Sequence, residues 1–316
     1  MSNIYIRVIQ VVTARLCESI ALLLPRQLSA KILYWRIHRR VLHIKKPRTF
    51  SEFIFQRMLL EHTKDILWTV NKSEVKDKYI DLIKSSNISC PDPIETLWSG
   101  CTLENFPEIA PEELWVFKPT FGFGGHGIIF GKGNITDEIY QEINVELNRF
   151  LKKTLTSRAW AKVAWAYNNT REGYILEKNV TSGSIEPTNF GVYVFGGKAK
   201  YIVQIDGLRS LAVASIYQVK NYLDWERVNI SLKPYEQLIP QTDLVAPPFL
   251  QEMLKAAEQI SKNFDYMRVD FLFNGKEVHF LELDPYTGFS IAAFPHWFDK
   301  HLGDLWNEAR SSPAIN

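Results

Sequence analysis

Three carboxylates and one arginine near the end of the chain are the residues that point most directly to chemistry. Asp270 follows Arg268 by two residues, and Asp284 follows Glu282 at the same spacing. Carboxylates that converge on one point repel each other unless a cation lies between them, and oxygen-only ligands suit Mg²⁺, which takes further ligands from water and substrate phosphates. The three acids are therefore predicted to bind Mg²⁺, and Arg268 to contact a phosphate oxygen. The alternative is a surface hairpin whose acids are solvated.

A β-hairpin is needed to bring these residues together. Apolar and polar residues alternate from residue 266, Asn274-Gly275 is a tight-turn dipeptide, and apolar residues resume at Val278. Because side chains alternate between the faces of a strand, Asp270 on the first strand is expected to face the acids of the second strand.

A glycine-rich segment, LWVFKPTFGFGGHGIIF at residues 114–130, is the second candidate site. Its spacing also fits the GxGxxG dinucleotide fingerprint, but that fingerprint requires a helix after the third glycine, and here β-branched residues follow, which favours a β-hairpin. Such a hairpin can close over a triphosphate and offer backbone N–H groups, while Lys118 reaches the phosphates as a point charge. The alternative is a purely structural hairpin. The glycines concerned are Gly122, Gly124, Gly125 and Gly127.

The composition is that of an ordinary globular protein, with 46% hydrophobic and 23% charged residues and a net charge of +2. The charge is uneven, because residues 1–48 carry ten basic side chains and one acid, Glu18. Three cysteines without metal-ligand spacing argue against a disulfide framework or a zinc site and fit a reducing cytoplasm. No run of eighteen apolar residues occurs, so a membrane-spanning helix is not expected.

The basic N-terminal extension is predicted to contain two helices, at residues 4–24 and 28–44, separated by Pro25. A basic amphipathic segment with aromatic residues can lie on an anionic membrane surface, dock an acidic glycan, or pack on the domain behind it. We expect a cytoplasmic protein, with peripheral contact at the inner face of the membrane left open. No nucleic-acid partner is expected, because the basic charge is confined to this extension.

The remaining elements follow from hydrophobic periodicity and from start and stop signals. Thr49 and Glu52 form a capping box at the start of a helix. Further helices are predicted at residues 71–82, 137–155, 247–263 and 290–306, strands at 173–180 and 190–205, and a loop-rich region at 209–248.

The order of these segments resembles the ATP-grasp superfamily and, more closely, its TupA-like branch, named for teichuronopeptide biosynthesis. The matching runs are PRTFSE, NKSEVKDKYI, VFKPTFGFGG, YILEK, NYLDW, FDYMRVDFLF, FLELDPYTGF and FDKHLG. The resemblance implies an α+β ATP-grasp fold in which two α+β subdomains hold the nucleotide between them. The expected parts are the basic helical extension (1–48), a substrate-side subdomain (49–113), a central subdomain with the glycine hairpin (114–186) and a C-terminal subdomain with the metal-binding carboxylates (187–316).

The same resemblance gives each candidate residue a role. Lys118 and Lys178 would contact the phosphates of ATP together with the glycine loop, and Arg268 would stabilise the transferred phosphoryl group. The three acids would hold Mg²⁺ on the β- and γ-phosphates. Adenine and ribose contacts are expected from Glu177, Val180 and Glu186. Substrate contacts are expected from Lys72, Arg209, Tyr222, Asp224 and Trp225.

The sequence departs from the family pattern at three places. Asp284 stands where the wider superfamily has an asparagine, and Asn71 stands where the branch has an aspartate before Lys72. Residues 189–191, Asn-Phe-Gly, stand where an Asp-Tyr-Lys-like triplet is expected, so that Gly191 replaces a lysine.

The implied chemistry is activation of a carboxylate as an acylphosphate, followed by attack of an amine to form an amide. The leading hypothesis is an ATP-dependent carboxylate–amine ligase that acts on a uronic-acid-containing cell-envelope polysaccharide or its lipid-linked precursor. Two alternatives stay open. One is a kinase-like phosphotransferase, although no HRD-type catalytic loop occurs. The other is a non-catalytic scaffold of an envelope assembly, which the missing lysine keeps open.

Overall fold

Two antiparallel β-sheets carry the two segments that the sequence singles out. They are seen in a computed structural model of the chain, which describes residues 2–86, 88–121, 127–151, 155–181, 187–206, 213–230, 246–287 and 294–312. The smaller sheet contains the strands on either side of the glycine loop, and the larger sheet contains the acidic hairpin. This arrangement of helices and antiparallel sheets is the α+β class that the sequence predicts.

The first quarter of the chain is helical, and part of it packs on the larger sheet. Thr49 begins the third helix as predicted, because its side chain accepts a hydrogen bond from the backbone N–H of Glu52. The second helix ends earlier than predicted, since Arg39 adopts a left-handed conformation with φ of 53°. The helices are α1 (Ser2–Leu23), α2 (Arg26–His38), α3 (Phe50–Leu60), α4 (Lys64–Thr69) and α5 (Lys72–Lys84). None of the described helices is both long enough and apolar enough to cross a membrane.

The smaller sheet has four strands in the order β1-β4-β2-β3, and all its neighbours are antiparallel. Helix α6 covers one face, where Ile143 and Leu147 pack against Trp115, Phe117 and Leu176. On the opposite face of β2 and β4, Lys118 and Glu177 form an ion pair, and Glu177 also pairs with Lys76 of α5. The elements are β1 (Thr96–Gly100), β2 (Leu114–Pro119), β3 (Ile129–Lys132), α6 (Asp137–Leu151), α7 (Leu155–Val163), α8 (Trp165–Asn169) and β4 (Tyr174–Lys178).

The larger sheet has six strands in the order β10-β9-β5-β6-β7-β8. The region at residues 209–248, expected to be loop-rich, instead contributes a hairpin of two strands, because its prolines lie beyond the β-branched and aromatic residues that form them. The elements are β5 (Thr188–Phe195), β6 (Lys198–Asp206), β7 (Val213–Asn221), β8 (Asp224–Arg227), α9 (Leu250–Ser261), β9 (Tyr266–Phe273), β10 (Val278–Asp284) and α10 (His296–Ser311).

An aromatic core under α3 and α10 leads directly to the acidic residues. The ring centroids of Phe50 and Tyr266 are 4.9 Å apart, and those of Tyr266 and Trp306 are 4.4 Å apart. Arg268 and Asp270 follow Tyr266 on β9 at two-residue spacing, so all three lie on the same face of the sheet. A rigid, buried face therefore fixes the backbone on which the charged residues sit.

Candidate active site

The acidic hairpin forms as the sequence predicts. In the register of β9 and β10, Asp270 lies opposite Glu282 and Arg268 lies opposite Asp284. Arg268 donates two hydrogen bonds to the carboxylate of Asp270, from Nε to Oδ1 at 2.7 Å and from Nη2 to Oδ2 at 2.6 Å. The same Nη2 lies 3.0 Å from Oδ2 of Asp284. One guanidinium thus stands between two carboxylates.

Negative charge exceeds positive charge at this end of the sheet. Burial raises the pKa of Asp270 to about 6, the nearby Arg268 opposes the rise, and Glu282 and Asp284 add to it. Burial would lower the pKa of Arg268, but Asp270 and Asp284 outweigh that effect and raise it well above its usual value. A further cation would therefore relieve the repulsion among the three acids.

The chemistry of the three acids fits Mg²⁺, since all of them offer carboxylate oxygens. Among the described residues, however, no three His, Cys, Asp or Glu side chains are grouped as a metal site. The Nη2 of Arg268 instead contacts both Asp270 and Asp284. A metal bound by both acids would require Arg268 to release one of them, so the metal site stays a prediction.

Asp284 is held in place by the turn that follows β10. Its Oδ1 accepts hydrogen bonds from the backbone N–H groups of Tyr286 at 2.9 Å and Thr287 at 2.8 Å, which leaves Oδ2 for Arg268. An asparagine that kept these two bonds would turn its amide N–H₂ toward the guanidinium, donor against donor. The aspartate therefore gives Arg268 a charged acceptor that an asparagine in the same orientation would not supply.

A second charged group lies on the face of the smaller sheet opposite α6. The carboxylate of Glu177 on β4 forms ion pairs with Lys118 on β2 and with Lys76 on α5, and all three side chains are buried. Lys76 also donates to the carbonyl oxygen of Ile94 at 2.6 Å. Burial would raise the pKa of Glu177, but the two lysines outweigh it and lower the pKa. Burial lowers the pKa of Lys76 to about 8 despite the opposing effect of Glu177.

Lys72 links the two charged groups. It lies one helical turn before Lys76 on α5, and its Nζ is 3.8 Å from Oε2 of Glu282. Burial lowers the pKa of Lys72, Glu282 opposes the change and Lys118 adds to it, so this lysine interacts with both groups. Its backbone N–H donates to the carbonyl of Thr120 at 2.8 Å, at the end of β2 where the glycine loop begins.

A family model described as TupA-like ATPgrasp matches residues 52–307. The chain belongs to the TupA-like ATP-grasp family. The ATP-grasp fold predicted from the sequence is thereby confirmed. No curated protein matches the chain.

Solved structures of ATP-grasp ligases and related enzymes are similar to this TupA-like ATP-grasp protein only at low identity. D-alanine–D-alanine ligase from Helicobacter pylori is 17% identical over 78% of this chain and 61% of its own, with a TM-score of 0.37. The ligase from Bacillus anthracis complexed with ATP is 14% identical over 76% and 65%, with a TM-score of 0.39. The macrocyclase MdnC from Microcystis aeruginosa MRC is 11% identical over 77% and 63%, with a TM-score of 0.34. The chain spans about three fifths of the length of the first structures it matches.

Several residues expected at the site of this TupA-like ATP-grasp protein lie elsewhere. Neighbouring strand residues point to opposite faces, so Lys178 is turned away from Glu177, and its Nζ lies 3.1 Å from Oε1 of Glu113. The expected substrate residues on and before β8 lie at the far edge of the larger sheet, with three strands between β8 and β9. There the hydroxyl of Tyr222 donates to Glu258, Trp225 stacks on Tyr217, and Asp224 is exposed.

Five of the expected residues lie outside the described part of the chain: Gly122, Gly124, Gly125, Glu186 and Arg209. Gly127, at the end of the glycine loop, has a φ of +76°, a conformation that favours glycine. The carbonyl of Val180 accepts a hydrogen bond from Asn274 in the turn between β9 and β10, which joins β4 to the acidic hairpin.

Two residues that belong to the site, Lys76 and Asn71, were not identified from the sequence. Lys76 could have been found from its spacing, because residues four apart on a predicted helix share a face with each other, and Lys72 was already a candidate. Asn71 caps α5 with its side-chain oxygen and donates from Nδ2 to the carbonyl of Arg171 at 3.1 Å. An aspartate could not make that second bond, which accounts for the asparagine.

Proposed function

We propose that this TupA-like ATP-grasp protein is an ATP-dependent carboxylate–amine ligase. It adds an amino acid or another amine to a uronic-acid-containing polysaccharide of the cell envelope, such as a capsule, O-antigen or teichuronopeptide-like polymer. The observation that carries the proposal is the position of Lys72. Its Nζ lies 3.8 Å from Oε2 of Glu282, and it precedes by one helical turn Lys76, which forms an ion pair with Glu177. A polyphosphate that lies between the two charged groups can be bound at one end by the lysines. Its other end can be bound by a cation that the three carboxylates hold.

Each charged group has a part in the proposed reaction. Lys118 and Lys76 bind phosphate oxygens of ATP, and Glu177 keeps both ammonium groups in position. Asp270, Glu282 and Asp284 would hold Mg²⁺, which would neutralise charge on the β- and γ-phosphates. A substrate carboxylate oxygen attacks the γ-phosphorus, the bond to the β-phosphate oxygen breaks and ADP leaves. An amine then attacks the acyl carbon, loses a proton and displaces phosphate.

The positive charge that Arg268 carries suits the transferred phosphoryl group. Its guanidinium is planar and offers several N–H donors, and phosphate oxygens are acceptors of the same kind as the carboxylate oxygens it binds here. When Arg268 turns from Asp284 to a phosphoryl oxygen, it frees a carboxylate oxygen for the cation. One side-chain movement would then couple nucleotide binding to completion of the metal site.

The substrate class is inferred from the family and from charge. The family takes its name from teichuronopeptide biosynthesis, which points to a cell-envelope polymer that bears uronic acids. Residues 1–48 carry ten basic side chains and one acid, and such a segment attracts an anionic polymer or its lipid-linked precursor.

The test is nucleotide turnover with paired substrates. Purified protein with ATP and Mg²⁺ is incubated with glucuronic or galacturonic acid oligosaccharides, with amino acids, and with both together. We expect ADP and phosphate in proportion to an amide product detected by mass spectrometry, and only when both substrates are present. Asp270→Asn should abolish the product, and Asp304→Asn, an exposed residue of α10 paired with Lys300, should not.

Other products would contradict the proposal in defined ways. Release of AMP and pyrophosphate would exclude an acylphosphate route. A stable phosphorylated saccharide formed without amine would identify a phosphotransferase. Failure to bind ATP in a calorimetric titration with Mg²⁺ would favour the non-catalytic scaffold.

A further inference from the structure

The outer side of α1 carries an apolar stripe that faces solvent. Val12, Leu16, Ile20 and Leu23 are 59%, 58%, 39% and 86% exposed and follow one another at three- or four-residue spacing, so they lie on one face of the helix. The opposite face is used for packing, because Ala21 is fully buried and α1 contacts α2 and α7.

Helix α2 continues the exposed surface past the turn at Pro25. Leu28 and Trp35 are 45% and 47% exposed and share a helix face with the exposed Lys31, and the exposed Arg39 follows the end of the helix. The guanidinium carbon of Arg39 lies 4.8 Å from the centre of the Trp35 ring. We call this exposed surface of residues 12–39 the outer face of the α1–α2 hairpin.

The hairpin is fixed to the body, so the outer face is a defined surface. Lys162 of α7 donates to the carbonyl of Leu22 at 2.8 Å, and Arg26 donates to the carbonyl of Val163 at 2.7 Å. These bonds tie both sides of the turn to α7. The exposed apolar side chains therefore do not reflect a hairpin that lies apart from the rest of the fold.

The charge of this surface has one sign. The exposed charged residues from 12 to 39, a range the structure describes completely, are Arg15, Lys31 and Arg39. The one acid of the range, Glu18, is 2% exposed and forms an ion pair with Arg36. An anionic surface would therefore meet basic side chains and no exposed carboxylate.

We propose that the outer face of the α1–α2 hairpin binds the surface of an anionic lipid bilayer. Apolar side chains interleaved with Lys and Arg, and Trp beside a basic residue, suit the boundary between acyl chains and anionic headgroups. The core of a protein–protein interface, in contrast, is depleted of lysine, and Lys31 lies within the stripe. The hairpin lies in the plane of the membrane surface and brings the active site to a lipid-linked substrate.

The test is co-sedimentation of the full-length protein with vesicles of phosphatidylcholine alone or mixed with phosphatidylglycerol. We expect binding to the mixed vesicles, weakening at high salt. Leu16→Glu/Leu23→Glu should reduce the partition coefficient at least about tenfold, because it removes two apolar anchors and adds negative charge. Lys31→Glu/Arg39→Glu should reduce binding to the mixed vesicles by a similar factor. The matched control is Leu223→Glu, at a site 73% exposed in the turn between β7 and β8, which should bind as the unmodified chain does.

Three results would overturn the inference. The first is equal vesicle binding by Leu16→Glu/Leu23→Glu and the unmodified chain, and the second is equal binding of the unmodified chain to neutral and mixed vesicles. The third is that no form binds vesicles, while the unmodified chain is a dimer and the double variant is a monomer. The last result would assign the outer face to a second copy of the chain. Thermal melting and ATP binding, measured on each variant, separate loss of fold or of the proposed ligase function from loss of membrane binding.

Discussion

Gly191 of β5 lies directly opposite Asp270 of β9 in the larger sheet. A Cβ atom on Gly191 would lie 3.0 Å from Cδ of Arg268 and 3.2 Å from Oδ1 of Asp270. The missing side chain is therefore what allows Arg268 to lie along Asp270. A lysine is expected here from the family pattern, and in this chain the side chain of Arg268 occupies the space beside that position.

Replacement of Gly191 should disturb this pair in a graded way. Gly191→Ala needs a shift of only a few tenths of an ångström in Arg268, whereas Gly191→Val adds two methyl groups to a filled site. We expect Gly191→Val to lower the free energy of unfolding by about 2 kcal/mol, as overpacking does, and to raise the Mg²⁺ concentration needed for turnover. Urea unfolding and Mg²⁺ titrations measure the two effects. Unchanged values for Gly191→Val would show that Arg268 is not confined by β5.

Local patterns were enough to predict much of the fold. The alternation around Asn274-Gly275 predicts β9 and β10, and their register places Asp270 opposite Glu282 as the two-residue periodicity requires. Thr49 and Asn71 lie at helix N-termini because their side chains accept backbone N–H bonds, a signal that is local in the sequence.

Contacts between distant segments were not predictable in this way. Lys76 and Glu177 are a hundred residues apart, and nothing near either one in the sequence indicates that α5 lies across the face of β4. Because Lys178 belongs to the YILEK run, it was expected to bind phosphate. The direction of its side chain, however, depends on which face of the sheet packs on α6. That choice is made by Trp115 and Phe117 in the tertiary fold.

Deprotonation of Lys76 should weaken ATP binding by the proposed enzyme at high pH. Burial lowers its pKa to about 8, so the ammonium group loses its proton as the pH rises from 7 to 9. One cation is then lost beside the phosphates, and we expect KM for ATP to rise about tenfold, the value of one charge-assisted hydrogen bond. Lys76→Arg should keep KM low up to pH 9, because arginine stays protonated. Lys76→Met should have the high KM already at pH 7.

Unfolding of the protein would not account for the rise in KM for ATP at high pH. Because the pKa of Lys76 in the folded state is below its ordinary value, the unfolded chain binds more protons above pH 8, and stability rises with pH in this range. Thermal melting between pH 7 and 9 should therefore show no loss attributable to Lys76. If KM for ATP still rises at high pH in Lys76→Arg, Lys76 is not the group whose deprotonation causes the rise.

Lys118 and Lys178 should differ sharply although the family pattern treats both as phosphate ligands. Lys118 is 7% exposed and paired with Glu177, whereas Lys178 pairs with Glu113 on the other face. We expect Lys118→Met to raise KM for ATP by roughly tenfold to a hundredfold, the range for a hydrogen bond to a charged group. Lys178→Met should change it less than about twofold, because exposed ion pairs contribute little. Steady-state kinetics decides, and equal losses would place Lys178 at the nucleotide.

The acids should act mainly on the rate of the chemical step. Glu282→Gln keeps the shape of the side chain but removes the charge that faces Lys72 and Asp270. We expect kcat to fall about 100-fold, as when one preorganised electrostatic contact is lost, and the Mg²⁺ dependence to shift to higher concentration. Glu308→Gln, at an exposed position of α10, is the control and should leave both unchanged. If Glu282→Gln lowers kcat without any change in Mg²⁺ dependence, the acid acts on another group than the metal.

Asp265 should contribute most to the stability of the structure around β9, the strand that carries Arg268 and Asp270. It lies just before β9, accepts hydrogen bonds from Trp306 Nε1 at 2.7 Å and Arg310 Nε at 2.5 Å, and forms an ion pair with the fully buried Arg57. Burial would raise the pKa of Asp265, but the two arginines outweigh it and lower the pKa, so the carboxylate is charged at neutral pH. Removing it leaves the buried charge of Arg57 without its main partner.

We expect Asp265→Ala to lower the free energy of unfolding by about 3 to 5 kcal/mol, the usual loss when one partner of a buried ion pair is removed. Asp304→Ala, an exposed acid on α10 paired with Lys300, should cost less than about 0.5 kcal/mol. Arg57→Met/Asp265→Leu removes both charges and should lose less than the sum of Arg57→Met and Asp265→Leu measured singly. Urea unfolding followed by tryptophan fluorescence measures each of these variants. A double variant as unstable as that sum would mean that Arg57 stabilises the fold through its bonds to the carbonyl of Tyr266 and to Glu61 rather than through Asp265.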